Sequence, residues 1–359
     1  MYHLFSVTLS MRVVDYIVVG QGLAGSCLAL EFVKRKKKLL LIDSYDQNAA
    51  SKIAAGIFNP ITGRTNQPTW LALEVFKALF DFYESAENLL QGKFLNRMPV
   101  YRPFLTVDEN GKWPQETNDW IQRVFTESQY SFVKDSFGGI LIQDSGYLET
   151  NKFLVEVRNY LQTQCDFLTE YLEFESVQCD GEIHYRNYKA SKIIFCEGCG
   201  VNNNPMFNWL PIRKLKGELL TIKGALPRDV IVNRGIFSLP VSTNEFILGS
   251  TYVHDENDGA TFEGKEEILS RAKKLFTSAL EIMNHTWGHR PTTLDRRPIL
   301  GSHPEHKNVC IFNGLGTKGV SLAPFFALHL ADWLEGRRVL SKEINIERFY
   351  SLSFKSKWG

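Results

Sequence analysis

At 359 residues, with 44% hydrophobic and 23% charged side chains, the chain is large enough for two compact units with sizeable cores. A formal net charge of +1 supplies no bulk attraction to nucleic acid or anionic lipid, which makes a nucleic-acid partner the less expected one. No apolar run reaches the roughly 18–20 residues that a membrane span needs.

The opening MYHLFSVTLS has no Lys or Arg ahead of its apolar residues and no small-residue cleavage site, so it reads as a short extension and not a signal peptide. Met11 offers a second start, directly before the first strand. VDYIVV is a buried β run, GQGLAG a turn, and KKLLLID a second buried run. Between them Leu23, Cys27 and Leu30 recur at helical spacing, and the cations of EFVKRKKK suit a helix C-terminus. The unit is βαβ and predicts a parallel sheet.

Residues 68–90 predict a long amphipathic helix. From about 92 to 143 short β-like pieces alternate with turns, and PFLTVDENGKWP reads as a hairpin. GYLETNKFLVEVRNYLQ returns to helix, and SKIIFCEG is a buried strand ending in glycine. ELLTIKG, RGIFSLPV and EFILGSTYV predict antiparallel strands, followed by a helix near 264–282 and a C-terminal helix, SLAPFFALHLADWLEG. The fold class is therefore α/β: a Rossmann-like domain assembled from 11–90, 144–214 and 290–359, with a mainly antiparallel second domain from 91–143 and 215–289. Cys27, Cys165, Cys179, Cys196, Cys199 and Cys310 fall inside apparent strands and helices, which suits reduced thiols and a cytoplasmic location.

Gly20-Gln21-Gly22-Leu23-Ala24-Gly25 matches G-x-G-x-x-G in the context that gives the pattern meaning. It follows a strand, opens a helix, and Asp43 ends the next strand 18 residues past Gly25. Gly20 allows the tight turn, Gly22 lets backbone approach a pyrophosphate, and Gly25 lets the helix pack on the strand. The helix N-terminus offers unpaired N–H groups to phosphate, and Asp43, with Ser44 beside it, can accept from both adenosine ribose hydroxyls. An acid there disfavours a 2′-phosphate, so NADP is not expected. The fingerprint by itself leaves NAD and FAD open.

Two later stretches favour FAD. Ser51-Lys52-Ile53-Ala54-Ala55-Gly56 supplies small residues and a hydroxyl that can lie along an extended cofactor. Asn313-Gly314-Leu315-Gly316-Thr317-Lys318-Gly319, running into Val320, puts a second glycine turn at a helix start. A nicotinamide dinucleotide needs one such turn, whereas a reduced flavin, negative around N1 and C2=O, gains from a second helix N-terminus.

With these residues in hand, the chain resembles the D-amino-acid oxidase superfamily of flavoproteins, most of all its glycine-oxidase and sarcosine-oxidase branch. The resemblance runs from Asp15 to about Gly336 through GQGLAG with Asp43, SKIAAGIFNP, KIIFCEG, and HRPTTLDRRPILG followed by GLGTKGVSLAP. It implies FAD and a small amine or amino-acid substrate held over the flavin. By resemblance, Arg290 matches the arginine that grips a substrate carboxylate, as a guanidinium does through two parallel hydrogen bonds; the bland alternative is a structural ion pair or a surface charge. Phe174 matches a position whose backbone meets adenine, and Cys196-Glu197-Gly198 matches the strand end beside the pyrophosphate. Phe237 stands where similar enzymes place a substrate-binding tyrosine, and Thr317 where one has a second arginine. Tyr252 falls at another pocket-lining position. Such a pocket is less cationic than the family's and favours an N-substituted or larger amine. GHRPTT lacks the cysteine that tethers flavin in sarcosine oxidases, so the FAD is expected to be non-covalent.

Other signals receive bland readings. Cys196-Glu197-Gly198-Cys199 has no second pair to make a zinc site. His303-Pro304-Glu305-His306 and the run Lys34–Lys38 read as solvated, while Asn59-Pro60-Ile61-Thr62-Gly63-Arg64 is either a pocket border or an ordinary loop. The residues leave the electron acceptor open. Two alternatives stand beside amine oxidation: an FAD enzyme acting on a modified tRNA nucleoside, as one branch of the superfamily does, and a non-catalytic flavin-binding protein.

Overall fold

A computed structural model describes residues 10–46, 49–61, 67–112, 119–124, 128–254 and 257–356. Buried β-branched and leucine runs make the first sheet. Its centre is parallel, in the order Val309–Asn313, Tyr188–Phe195, Arg12–Val19, Leu39–Ile42, Asp166–Leu168. Ile299–Ser302 adds antiparallel to one edge, and the hairpin Val177–Gln178/Ile183–Tyr185 pairs with the start of Tyr188–Phe195. One face is covered by the helices Leu23–Lys34, Ala72–Leu90, Thr150–Gln164 and Gly319–Leu334, whose apolar stripes merge with the sheet into one core. The parallel α/β expectation holds.

The second large sheet is antiparallel except where Ile231–Asn233 runs beside Val100–Pro103. Its order is Glu281–Thr293, Ile212–Lys223, Glu245–Gly249, Phe237–Pro240, Ile231–Asn233, Val100–Pro103, Gly139–Ile142, Ile121–Val124. The helix Phe262–Leu275 packs on one face, burying Ile268, Ala272 and Leu275 against Leu220, Ile222 and Leu248. The opposite face meets Ala55, Ile57 and Ile61 from residues 51–61, which seats the first sheet's loops over it. Both long strands of this sheet run across the borders drawn from sequence at 214 and 290.

Several local expectations change. PFLTVDENGKWP is no hairpin: Val107–Lys112 is helical, because Thr106 Oγ1 accepts from Glu109 N and a Glu109 carboxylate oxygen accepts from Leu105 N at 2.8 Å. That is a capping arrangement, with Thr and Glu three residues apart, hidden under a turn-like composition. Gly146–Leu148 is a strand of a small third sheet, and its helix begins only at Thr150. The helix near 264–282 stops at Leu275, and the strand Glu281–Thr293 takes over. Arg35 is not solvated. It pairs with Glu31, Asp332 and Glu335 at 2.6–2.8 Å and ties the fingerprint helix to the C-terminal one. His303 is buried against Phe207 and Trp209 and accepts two backbone N–H groups. Thr62, Gly63 and Arg64 lie outside the described residues.

Candidate active site

The fingerprint glycines are forced by contact. Gly20 has φ +96°, and a β-carbon on it would lie 2.6 Å from Cys196 O. One on Gly25 would lie 1.8 Å from Gly20 O, so no other residue lets this helix sit so close to its strand. Gly22 faces Ser51, whose Oγ would be 3.2 Å from a β-carbon there and accepts from Leu23 N at 3.2 Å. The SKIAAG stretch thus lies against the fingerprint turn. Gly56, with φ +72°, lies so close to Leu148 O that a β-carbon would come within 1.9 Å. Ala24 is buried in the fingerprint helix, Ala55 is half-buried, and Ser44 follows Asp43 at a half-buried position.

The two glycine turns, distant in sequence, meet. A β-carbon on Gly319 would touch Leu23 Cδ1 at 3.1 Å. The second turn is a short 3-10 segment, Gly316–Lys318, entering the helix Gly319–Leu334. Gly314 and Gly316 have φ +75° and +55°. Asn313 Nδ2 donates to Gly198 O at 2.8 Å, which ties this turn to the Cys196-Glu197-Gly198 strand end. Two helix N-termini and three glycine-bearing strand ends therefore surround one region.

Its charges suit an anionic ligand. Lys52 Nζ is buried without a hydrogen-bond partner among the described residues, 3.4 Å from the centre of the Tyr45 ring. Burial lowers its pKa, an effect Asp43 opposes and Arg158 reinforces. An orphaned buried ammonium beside a fingerprint turn fits a phosphate-bearing cofactor. Lys318 donates to Thr69 Oγ1, and its pKa is lowered by burial and by Arg297 and Arg296. The Glu197 carboxyl accepts from Asn204 Nδ2 at 2.7 Å, and burial pushes its pKa up to about 7. Val320 is buried, its carbonyl accepting from Tyr83 Oη at 3.0 Å. The Phe174 ring stacks on Phe195, where it helps line a cavity of about 60 Å³ with Met206 and Val309.

Arg290 stands on the strand Glu281–Thr293. Its Nη2 donates to Ser250 Oγ at 2.8 Å, its Nη1 to Thr251 O at 3.3 Å, and its guanidinium lies 5.1 Å from the Tyr252 ring centre. Burial lowers its pKa, with Tyr252 opposing. No carboxylate pairs with it among the described residues. Arg290 pairs with Leu215 in the register, Leu219 with Gly249, and Gly249 with Phe237. Side chains of Arg290, Leu219 and Phe237 therefore share one sheet face. That face also carries Gly288, where a β-carbon would be 3.5 Å from Ile53. Tyr252 is 60% exposed, so it packs on Arg290 with its outer side open. Thr317 is exposed in the second turn, and a β-carbon on Gly316 would be 3.5 Å from Thr292 Cγ2.

The residues that cradle Arg290 were not found from sequence. A glycine inside the KGELL strand was the available signal for Gly217, which leaves the guanidinium its space. Ser250 and Thr251 carried none. Neither did Arg158, whose Nη1 reaches Asp43 Oδ2 at 2.9 Å from 115 residues away.

Comparison with known proteins agrees with this fold. Residues 15–333 match the family model described as FAD dependent oxidoreductase. A glycine oxidase from Geobacillus kaustophilus is 29% identical over 89% of this chain and 93% of its own length. Its crystal structure superposes with a TM-score of 0.75 at 20% identity, covering 94% of this chain and 98% of that one. An iminodiacetate oxidase from Chelativorans sp. BNC1 superposes with a TM-score of 0.76 at 18% identity, covering 93% and 98%. A tRNA 5-methylaminomethyl-2-thiouridine biosynthesis bifunctional protein from Marinobacter nauticus is 22% identical over 88% of this chain but only 54% of its own length. The chain spans about half of that relative and nearly all of the glycine oxidase.

Proposed function

The chain belongs to the FAD-dependent oxidoreductase family, and we propose that it oxidises the C–N bond of a small amino acid, preferentially an N-substituted one. The observation that carries this reading is Arg290: a half-buried guanidinium without a carboxylate partner among the described residues, on the same face as the apolar Phe237 and Leu219. A substrate carboxylate would pair with Arg290, and Phe237 and Leu219 would take an apolar nitrogen substituent. Tyr252 would flank the carboxylate. When bound, FAD supplies the two-electron acceptor as the substrate loses a hydride from carbon and a proton from nitrogen and leaves as an imine.

The cofactor would be held non-covalently by Gly20, Gly22, Leu23, Gly25, Ser51 and Lys52 at the pyrophosphate, with Asp43 at the ribose and backbone near Phe174 at adenine. Amides from Gly316 to Val320 would lie at the flavin end. These residues orient both partners and exclude water, and the arrangement asks for no acid–base side chain.

Anaerobic bleaching of the flavin by glycine, sarcosine, N-substituted glycines, D-amino acids and proline tests the proposal. Bleaching is expected from carboxylate-bearing secondary amines and not from the same amines without the carboxylate. Equal rates with both would reject Arg290 as the carboxylate partner. The bifunctional relative favours a second reading, oxidation of a substituted methylaminomethyl group on a tRNA nucleoside. Tight, strongly salt-dependent tRNA binding would support it.

A further inference from the structure

The acid expected to meet the adenosine ribose is more fully engaged than its sequence position implies. A carboxylate has about four acceptor sites, two on each oxygen. Asp43 Oδ2 accepts from Tyr45 N at 2.9 Å and from Arg158 Nη1 at 2.9 Å. Asp43 Oδ1 accepts from Gln21 N at 2.8 Å. Counting the described residues, one site remains, on Oδ1.

Arg158 is held there by more than its charge. Its Nη1 also donates to Gln21 Oε1 at 3.2 Å, and its Nη2 donates to Thr169 Oγ1 at 2.9 Å. The guanidinium carbon lies 4.6 Å from the Tyr45 ring centre and 4.5 Å from that of Phe167. Side-chain exposure is 10% for Arg158 and 15% for Asp43, so water competes weakly for either. Moving the arginine aside to free Oδ2 would break every one of these contacts and leave a buried carboxylate unpaired.

We propose that Arg158 is a specificity-determining residue for the adenosine end of the cofactor: by filling Oδ2 it leaves Asp43 able to hold one ribose hydroxyl and not both. The inference rests on the reading of FAD in the fingerprint turn. It departs from the expectation that Asp43 serves both hydroxyls.

The experiment titrates the apoprotein with FAD and with two FAD analogues, lacking the 2′- or the 3′-hydroxyl of the adenosine ribose, by flavin fluorescence. One analogue is expected to bind about tenfold more weakly than FAD and the other within about twofold of it. Equal losses with both, or with neither, would overturn the proposal. In Arg158→Met, Oδ2 is released, and the previously indifferent analogue is expected to lose about fivefold or more against FAD in the same variant. An unchanged one-sided pattern in that variant would also overturn it. Each ratio is taken within one protein, so general loss of stability cancels. Should Arg158→Met fail to fold, the two analogues on the unaltered protein still decide the matter. Failure of FAD itself to bind would instead reject the cofactor reading on which the inference stands.

Discussion

Replacing Gly217 with alanine tests the carboxylate clamp without touching any group expected to meet the ligand. A β-carbon at this position would lie 1.9 Å from Arg290 Nη2, 2.2 Å from Cζ and 2.4 Å from Nη1. Carbon and nitrogen rest about 3.5 Å apart, so the guanidinium must withdraw by about 1.5 Å. The backbone does not demand glycine here, since Gly217 is absent from the positive-φ residues, so the clash falls on the arginine. Withdrawal breaks the 2.8 Å bond to Ser250 and shifts both donor edges. Losing one well-aligned bond between charged groups costs about 1.5–3 kcal/mol, which is about 10- to 100-fold in substrate affinity. Overpacking of the strand costs a further ~1–3 kcal/mol of stability. The assay is anaerobic stopped-flow reduction with a carboxylate substrate, alongside an FAD titration. Weaker substrate binding with unchanged FAD affinity is expected. A folded variant with unaltered substrate affinity would refute the role given to Arg290.

Lys52→Met removes the orphaned ammonium and should weaken FAD binding about tenfold, with turnover at saturating FAD unaffected; fluorescence titration checks it. Glu197 should make stability pH-dependent. Its folded pKa of about 7 is raised above the ordinary 4.5, so the folded state binds the proton more tightly; the stabilisation is full below 4.5 and is lost as pH rises through 7. Melting temperatures across that window should fall by an amount equivalent to up to about 3 kcal/mol, and Glu197→Gln should flatten the profile. A flat profile in the unaltered protein would sink this. Arg35→Ala should cost about 2–4 kcal/mol, because Glu31, Asp332 and Glu335 at the junction of two helices lose a shared cation; a melting temperature within a degree of the parent would contradict it.

The parallel unit and its nucleotide turn were legible in the sequence because their causes are local. Gly25 is required by its contact with Gly20 inside the turn, Gly20 and Gly22 meet Cys196 and Ser51, and the β–turn–helix period announces where all three sit. The second turn was legible for the same reason. The strand Glu281–Thr293 was not. It is an edge strand, exposed over Glu281–Asn284 and interrupted by Gly288 and Pro291, and pairing with Ile212–Lys223 is what holds it extended. Arg35 and His303 were misread because Asp332 and Glu335 for the one, and Phe207 and Trp209 for the other, arrive from distant segments.

Composition, periodicity and turn chemistry thus determined the nucleotide fingerprint, a second glycine turn and an arginine in the C-terminal third of the chain. Tertiary structure decided that Gly319 lies against Leu23, that Gly217 and Ser250 shape the space of Arg290, and that Arg158 occupies Asp43. Sheet register and helix packing bring those pairs together across tens to hundreds of residues, and no property of either partner alone encodes the meeting.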